Sequence, residues 1–227
     1  MAEKNPTGRT AGRRAPRQER GRRRVAKILD AAEKVFAEAG YEAATNTEIA
    51  ERAETSIGSV YQFFPNKEAI LEALVDRYLE ELRALHDTEL SVEAARLPLP
   101  VLLDRAVGAL AEFKAERPAF WPIFYGSDTS EELSAAAQEL LGEVVGRLDA
   151  IFAVRVPELE EDKRGLYARI AVEVFRALLP VALEGDTGHR AWVVAETKAL
   201  LLAYLGPILG TEAIPASGES SRGTSES

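Results

Sequence analysis

Apolar residues recur at threes and fours along most of this chain, and β-branched alternation is scarce, so the pattern predicts an all-α protein. Val25, Ile28, Leu29, Ala32, Val35, Phe36 and Ala39 mark a first helix, with Gly40 placed where a left-handed residue ends one. Thr45 stands three residues before Glu48, the spacing of a capping box, and starts a short second helix whose apolar face is Ile49, Ala50 and Ala53. Glu54 and Thr55 form a turn, Ser56 caps a third short helix, and Pro65 stops it. In that third helix Val60, Phe63 and Phe64 form the packing side and Ile57, Gly58, Tyr61 and Gln62 the other. Phe36, Tyr41 and Phe64 read as core aromatics.

Beyond Pro65, Asn66 caps a long fourth helix that starts at Lys67, with Ile70, Leu71, Leu74, Val75, Tyr78, Leu79 and Leu82 as its stripe. A loop over Leu97–Pro100 leads to helices at about 101–116, 120–125 and 131–154, with Pro157 after the last. Two strongly apolar helices follow at about 163–183 and 189–209, separated by the turn EGDTGH. A helix that is apolar nearly all round must be buried on nearly all sides. Either a larger monomer core or a second copy of the hairpin supplies that burial.

At 227 residues the chain fits one or two domains with a sizeable core. It has no cysteine, which removes disulfides and thiolate metal sites and fits a reducing compartment. No apolar run is read as long enough to span a membrane, and a cytoplasmic protein with no membrane partner is expected. Net charge is −9, but it is unevenly spread. Residues 1–68 carry 13 Lys and Arg against 10 Asp and Glu, for +3, and the rest carries 15 against 27, for −12. A basic front and an acidic rear orient a molecule toward phosphate. The front begins with an arginine-rich arm, residues 1–21, which lacks core-forming residues and is expected to be disordered, as is the polar tail 211–227. The arm either follows a nucleic-acid backbone or enters a minor groove, or it only solubilises. Arg22, Arg23 and Arg24, next to the folded segment, are its candidates for contact.

The outward side of the third helix carries the functional argument. Glycine inside so short a helix costs roughly 1 kcal/mol relative to alanine, unless something must approach the backbone closely. Tyr61 and Gln62 offer groups that hydrogen-bond phosphates or base edges. Helix, turn and a second helix with a polar free side is the helix-turn-helix plan, though an ordinary helical hairpin with a solvated face shows the same spacing.

The block Arg24–Leu79, and above all IAERAETSIGSVYQFFPNKEAIL, resembles the DNA-binding region of the TetR family of transcriptional regulators. The resemblance covers about a quarter of the chain. It implies a three-helix head (residues 22–68) joined by a long helix to a C-terminal helical bundle for effector binding and dimerisation (69–210). It also implies a homodimer formed through the last two helices and a small-molecule effector. Within the head, Thr45, Tyr61, Gln62 and Lys67 become candidates for phosphate, Lys67 because the family's lysine there holds one. Ser56, Ile57, Gly58 and Ser59 lie nearest the bases. Two positions depart from the family pattern: Glu54 stands where glycine is usual, and Ile57 where lysine or proline is frequent.

Aromatic residues concentrate in the bundle at Phe113, Phe120, Trp121, Phe124 and Tyr125. Phe113, Trp121, Phe124 and Tyr125, with Phe152, Phe175 and Arg176 from later helices, are the candidate lining of a pocket for an apolar or aromatic ligand, or else plain core. Arg176 either meets an acidic ligand or forms a salt bridge with Glu173 or Glu143. His86 and His189 have no ligand partner at metal spacing, so neither a metal nor a cofactor is assigned. The expected function is a ligand-released repressor that binds a pseudo-palindromic double-stranded DNA operator. The alternatives are a sequence-indifferent DNA-coating protein that uses the arginine arm, or an enzyme built on a helical bundle, for which no catalytic constellation is present.

Overall fold

The computed structural model describes residues 14–125 and 131–215. Within them the chain forms nine α-helices and one 3-10 turn, with no strand. The helices are α1 Arg14–Ala43, α2 Asn46–Arg52, α3 Ile57–Phe63, α4 Lys67–Glu89, α5 Leu99–Ala115, α6 Phe120–Tyr125, α7 Glu131–Arg155, α8 Glu161–Leu183 and α9 Thr187–Leu209. The chain divides after Tyr78 into two compact units.

In the first unit the expected helix starts appear with their caps. Thr45 and Glu48 exchange bonds: the Glu48 amide donates to Thr45 Oγ1 (3.2 Å) and the Thr45 amide to Glu48 Oε2 (2.9 Å). The Ser59 amide donates to Ser56 Oγ (3.1 Å), and the Ala69 amide to Asn66 Oδ1 (2.8 Å). Ile28, Ala32 and Phe36 of α1 are buried together with Ile49, Ala53, Val60, Phe64, Ile70 and Leu74. On α4, Arg77 bridges Asp30 (2.6 Å) and Glu33 (3.1 Å) of α1. Gly40 breaks the helical run with φ +77° and ψ 162°, a conformation reserved for glycine but outside the left-handed helical region that was expected.

One boundary differs in this unit. The segment expected as a disordered arm over 1–21 is helical from Arg14 onward, and residues 1–13 lie outside the described ones. Arginine, alanine and glutamine are good helix formers, and Arg23 pairs with Glu19 one turn before it. Helical propensity therefore extends α1 well ahead of its first core residue.

The second unit is a bundle around Leu99, Leu103, Val107, Ile151, Phe152, Ala168, Leu201 and Leu205. Helix α5 starts at Leu99, not after the expected loop, because Pro100 falls in its first turn, where no amide donor is needed. The tail is not loose from Gly210, as expected, but tied down as far as Ile214. The Leu99 amide donates to Thr211 O (2.9 Å) and the Ile214 amide to Arg96 O (3.0 Å). The buried guanidinium of Arg155 donates to five carbonyls, those of Ala95 (2.9 Å), Leu97 (2.7 Å), Leu209 (3.3 Å), Gly210 (3.0 Å) and Glu212 (2.9 Å). Residues 216–227 of the tail lie outside the described ones. Helix α9 is long and apolar enough, by length and composition, to cross a membrane, although Glu196 and Lys198 interrupt its apolar run.

Candidate functional site

Helix α3 presents one open side. Tyr61 is 52% exposed and Ile57 39%, with Gln62, Gly58 and Ser56 exposed beside them, while Val60 on the opposite side is fully buried. A Cβ built on Gly58 meets no atom within 4 Å, so nothing inside the chain requires glycine there. Glu54 sets the angle of the turn between α2 and α3. Its φ is +48°, the Thr55 amide donates to Ala50 O (3.0 Å), and the Glu54 amide to Glu51 O (3.0 Å). That is a Schellman end, with glutamate in the place that favours glycine. The Glu54 carboxylate accepts from Lys27 Nζ of α1 at 2.7 Å, which holds its carboxyl below the usual range and anchors the strained residue.

Arg22, Arg23 and Arg24 lie exposed along α1, in a single helix rather than in a loose arm. Thr45 is exposed, with its hydroxyl spent on Glu48 (2.8 Å). Two other candidates are oriented differently from the expectation. Ser59 Oγ is buried, away from the open side of α3. Lys67 Nζ donates to Tyr41 O (2.6 Å) and Glu42 O (2.9 Å) and lies 4.4 Å from the Tyr41 ring centroid. The lysine that opens α4 thus closes off carbonyls at the end of α1, with one proton left for an outside acceptor.

The second unit holds an open-mouthed cavity of about 120 Å³. Phe152, Phe175 and Arg176 line it. Phe113 and Phe124 do not. They pack instead on Phe120, edge-on at 6.3 Å and stacked at 4.6 Å, with the Arg117 guanidinium 3.9 Å over the Phe113 ring. The side chains of Trp121 and Tyr125 lie outside the described residues. The wall is mainly aliphatic, with eleven leucines against two phenylalanines.

Sequence reasoning missed two polar residues of this wall, His86 of α4 and Lys114 of α5. His86 is 2% exposed, and neither ring nitrogen has a hydrogen-bond partner among the described residues. Burial first, then the charges of Arg147 and Lys114, bring its pKa down to about 4, against weaker opposition from Glu143 and Asp87. Lys114 is also buried; burial first, and then the charge of Arg176, bring its pKa down to about 8. Its ammonium lies 4.7 Å from the Phe120 ring centroid. Arg176 pairs with Glu173 at 3.2 Å, whereas Glu143 is taken by Arg83 at 2.8 Å.

A capped helix-turn-helix head followed by a hollow helical bundle defines a class of two-part bacterial regulators. Residues 28–74 match the model for bacterial regulatory proteins of the tetR family, and residues 98–205 that for the tetracyclin repressor-like C-terminal domain. The chain is 31% identical over 199 residues to the HTH-type transcriptional repressor KstR of Mycolicibacterium smegmatis, covering 86% of this chain and 91% of that protein. It is 26% identical over 183 residues to the fatty acid metabolism regulator protein of Bacillus subtilis, covering 80% and 90%. Over other curated relatives the chain spans less, 57% of the length of one and 58% of another. A solved TetR transcription regulator from Haloarcula marismortui shares the fold, with TM-score 0.65 and 19% identity over 83% of this chain and 99% of that one. The chain belongs to the TetR family of transcriptional regulators.

Proposed function

We propose that this protein is a repressor that binds a pseudo-palindromic operator as a homodimer and releases it when a small molecule enters the cavity of the second unit. The observation that carries this reading is the open side of α3. Tyr61, Gln62 and Ile57 stand out from a helix whose other side is buried, around a glycine that no intramolecular contact demands. Tyr61 and Gln62 reach phosphates or base edges, Ile57 suits a thymine methyl, and Gly58 lets the backbone come close. The exposed Arg22–Arg24 add attraction that carries no sequence information.

Dimerisation rests on the outer sides of α8 and α9. Leu166, Val181, Trp192 and Leu200 are exposed there, Trp192 by 64%. A second copy of the same hairpin would cover them, and two-fold symmetry would present two heads to two half-sites. That cover accounts for the apolar character of α9 in a cytoplasmic protein without a membrane. An effector acts by binding better to a state in which the heads no longer match successive grooves.

Selection from a random duplex pool tests the reading. The expected product is a pseudo-palindrome bound more tightly than random duplex, with an affinity that falls steeply with salt. Equal affinity for every sequence contradicts it.

A further inference from the structure

The cavity wall combines two chemistries that rarely serve the same ligand unless it is an amphiphile. Its described lining residues are aliphatic or aromatic apart from His86, Lys114 and Arg176, and no carboxylate is among them. These three basic side chains come from α4, α5 and α8, and their charges act on one another: Lys114 on His86, and Arg176 on Lys114. We propose that the cavity holds an aliphatic carboxylate of fatty-acid type, with its head group among His86, Lys114 and Arg176 and its chain along the leucines. The proposal rests on the reading of this cavity as the effector site.

The argument runs by elimination among ligand chemistries. A neutral hydrocarbon would leave the N–H of a 98% buried imidazole without an acceptor, at the cost of burying an unsatisfied polar group. A cation would meet Lys114 and Arg176 in a medium that strengthens repulsion. A polyanion would have to place most of its charge against leucine. A flat aromatic ligand would find few rings, since Phe152 and Phe175 are the only aromatic residues in the described wall. A single carboxylate on an aliphatic chain satisfies all four constraints. It accepts from the imidazole N–H, faces the Lys114 ammonium and the Arg176 guanidinium, and fills the leucine-lined space.

Calorimetric titration of the full chain with dodecanoate below its micelle concentration, methyl dodecanoate and dodecyltrimethylammonium tests this. Dodecanoate is expected to bind roughly ten- to a hundred-fold more tightly than the ester, as hydrogen bonds to charged groups imply. The ammonium compound is expected not to compete. Dodecanoyl coenzyme A, whose thioester lacks the carboxylate, separates a free acid from an activated one; tighter binding of the thioester overturns the proposal. In Lys114→Met the preference for acid over ester is expected to vanish while the ester still binds. Arg176→Gln serves the same purpose should the first variant fail to fold. An ester equal to the acid in the unaltered protein, or no binding of any chain, overturns the proposal without any variant. Operator binding is measured on the same samples. Dodecanoate that binds without weakening the operator complex leaves the ligand assignment standing and sinks the effector reading. A protein that holds its operator and responds to other compounds, but not to dodecanoate, does the reverse.

Discussion

In the head, the groups offered to a partner sit on one seven-residue helix and face outward. In the C-terminal unit they come from α4, α5 and α8 and face inward. Tyr61 and Gln62 lose little by standing in water before DNA arrives, so the head waits at no cost to its own stability. His86 and Lys114 are held where burial disfavours charge. On the proposed reading the head reads the operator, and a ligand that binds one conformational state of the bundle better shifts the equilibrium.

The largest expected effect breaks the bundle and spares the reading side. Arg155→Met removes five hydrogen bonds and leaves buried carbonyls without donors. A loss of about 4 kcal/mol or more is expected, measured by denaturant unfolding. A variant within 1 kcal/mol of the parent would show that the tail and α7 hold together without it.

Next in size is a pH effect confined to the bundle. The folded-state pKa of His86 lies at about 4, against 6.5 for the free side chain, so between those values the unfolded chain binds more protons than the folded one. Stability therefore rises with pH across this window and falls on acidification, by roughly 3 kcal/mol from this residue. His86→Leu is expected to flatten the pH 4–6.5 slope relative to the parent while keeping or raising stability at pH 7. An unchanged slope would mean that the imidazole is not buried as described.

The smallest effect sharpens the contrast from the side of the head. Gly58→Ala adds a methyl that meets nothing inside the chain and restores helix propensity, a gain of up to about 1 kcal/mol in stability. Operator affinity is expected to fall by roughly ten-fold, because the methyl stands where the backbone must approach. Gel-shift titration beside a thermal melt checks both. A variant that gains stability and keeps its affinity would remove close approach as the reason for glycine.

The two regions also differ in how far they could be read from the chain. Caps at Thr45, Ser56 and Asn66 were legible because donor and acceptor lie three residues apart, and the open side of α3 because seven residues define it. The turn at Glu54 was visible as a departure from the usual glycine, but its Lys27 partner was not, since the two meet only after α1 packs. Where the Lys67 and Ser59 side chains point was not legible for the same reason: the carbonyls at the end of α1 and the interior of the head decide it. In the bundle, aromatic crowding drew attention to Phe113 and Phe124, which pack on Phe120, while the cavity wall is mostly leucine. His86 has no metal-ligand spacing to mark it, and Lys114 carries no local signal. A cavity assembled from several helices leaves no spacing rule in the sequence.

The central claim, that the outward side of α3 reads the operator, is tested most directly by Tyr61→Ala assayed on the selected duplex by fluorescence anisotropy. The account predicts an affinity loss of roughly ten- to a hundred-fold, equivalent to about 1–3 kcal/mol, with melting temperature and dimer mass unchanged because Tyr61 is half exposed. Parental affinity in a folded, dimeric Tyr61→Ala protein would contradict it.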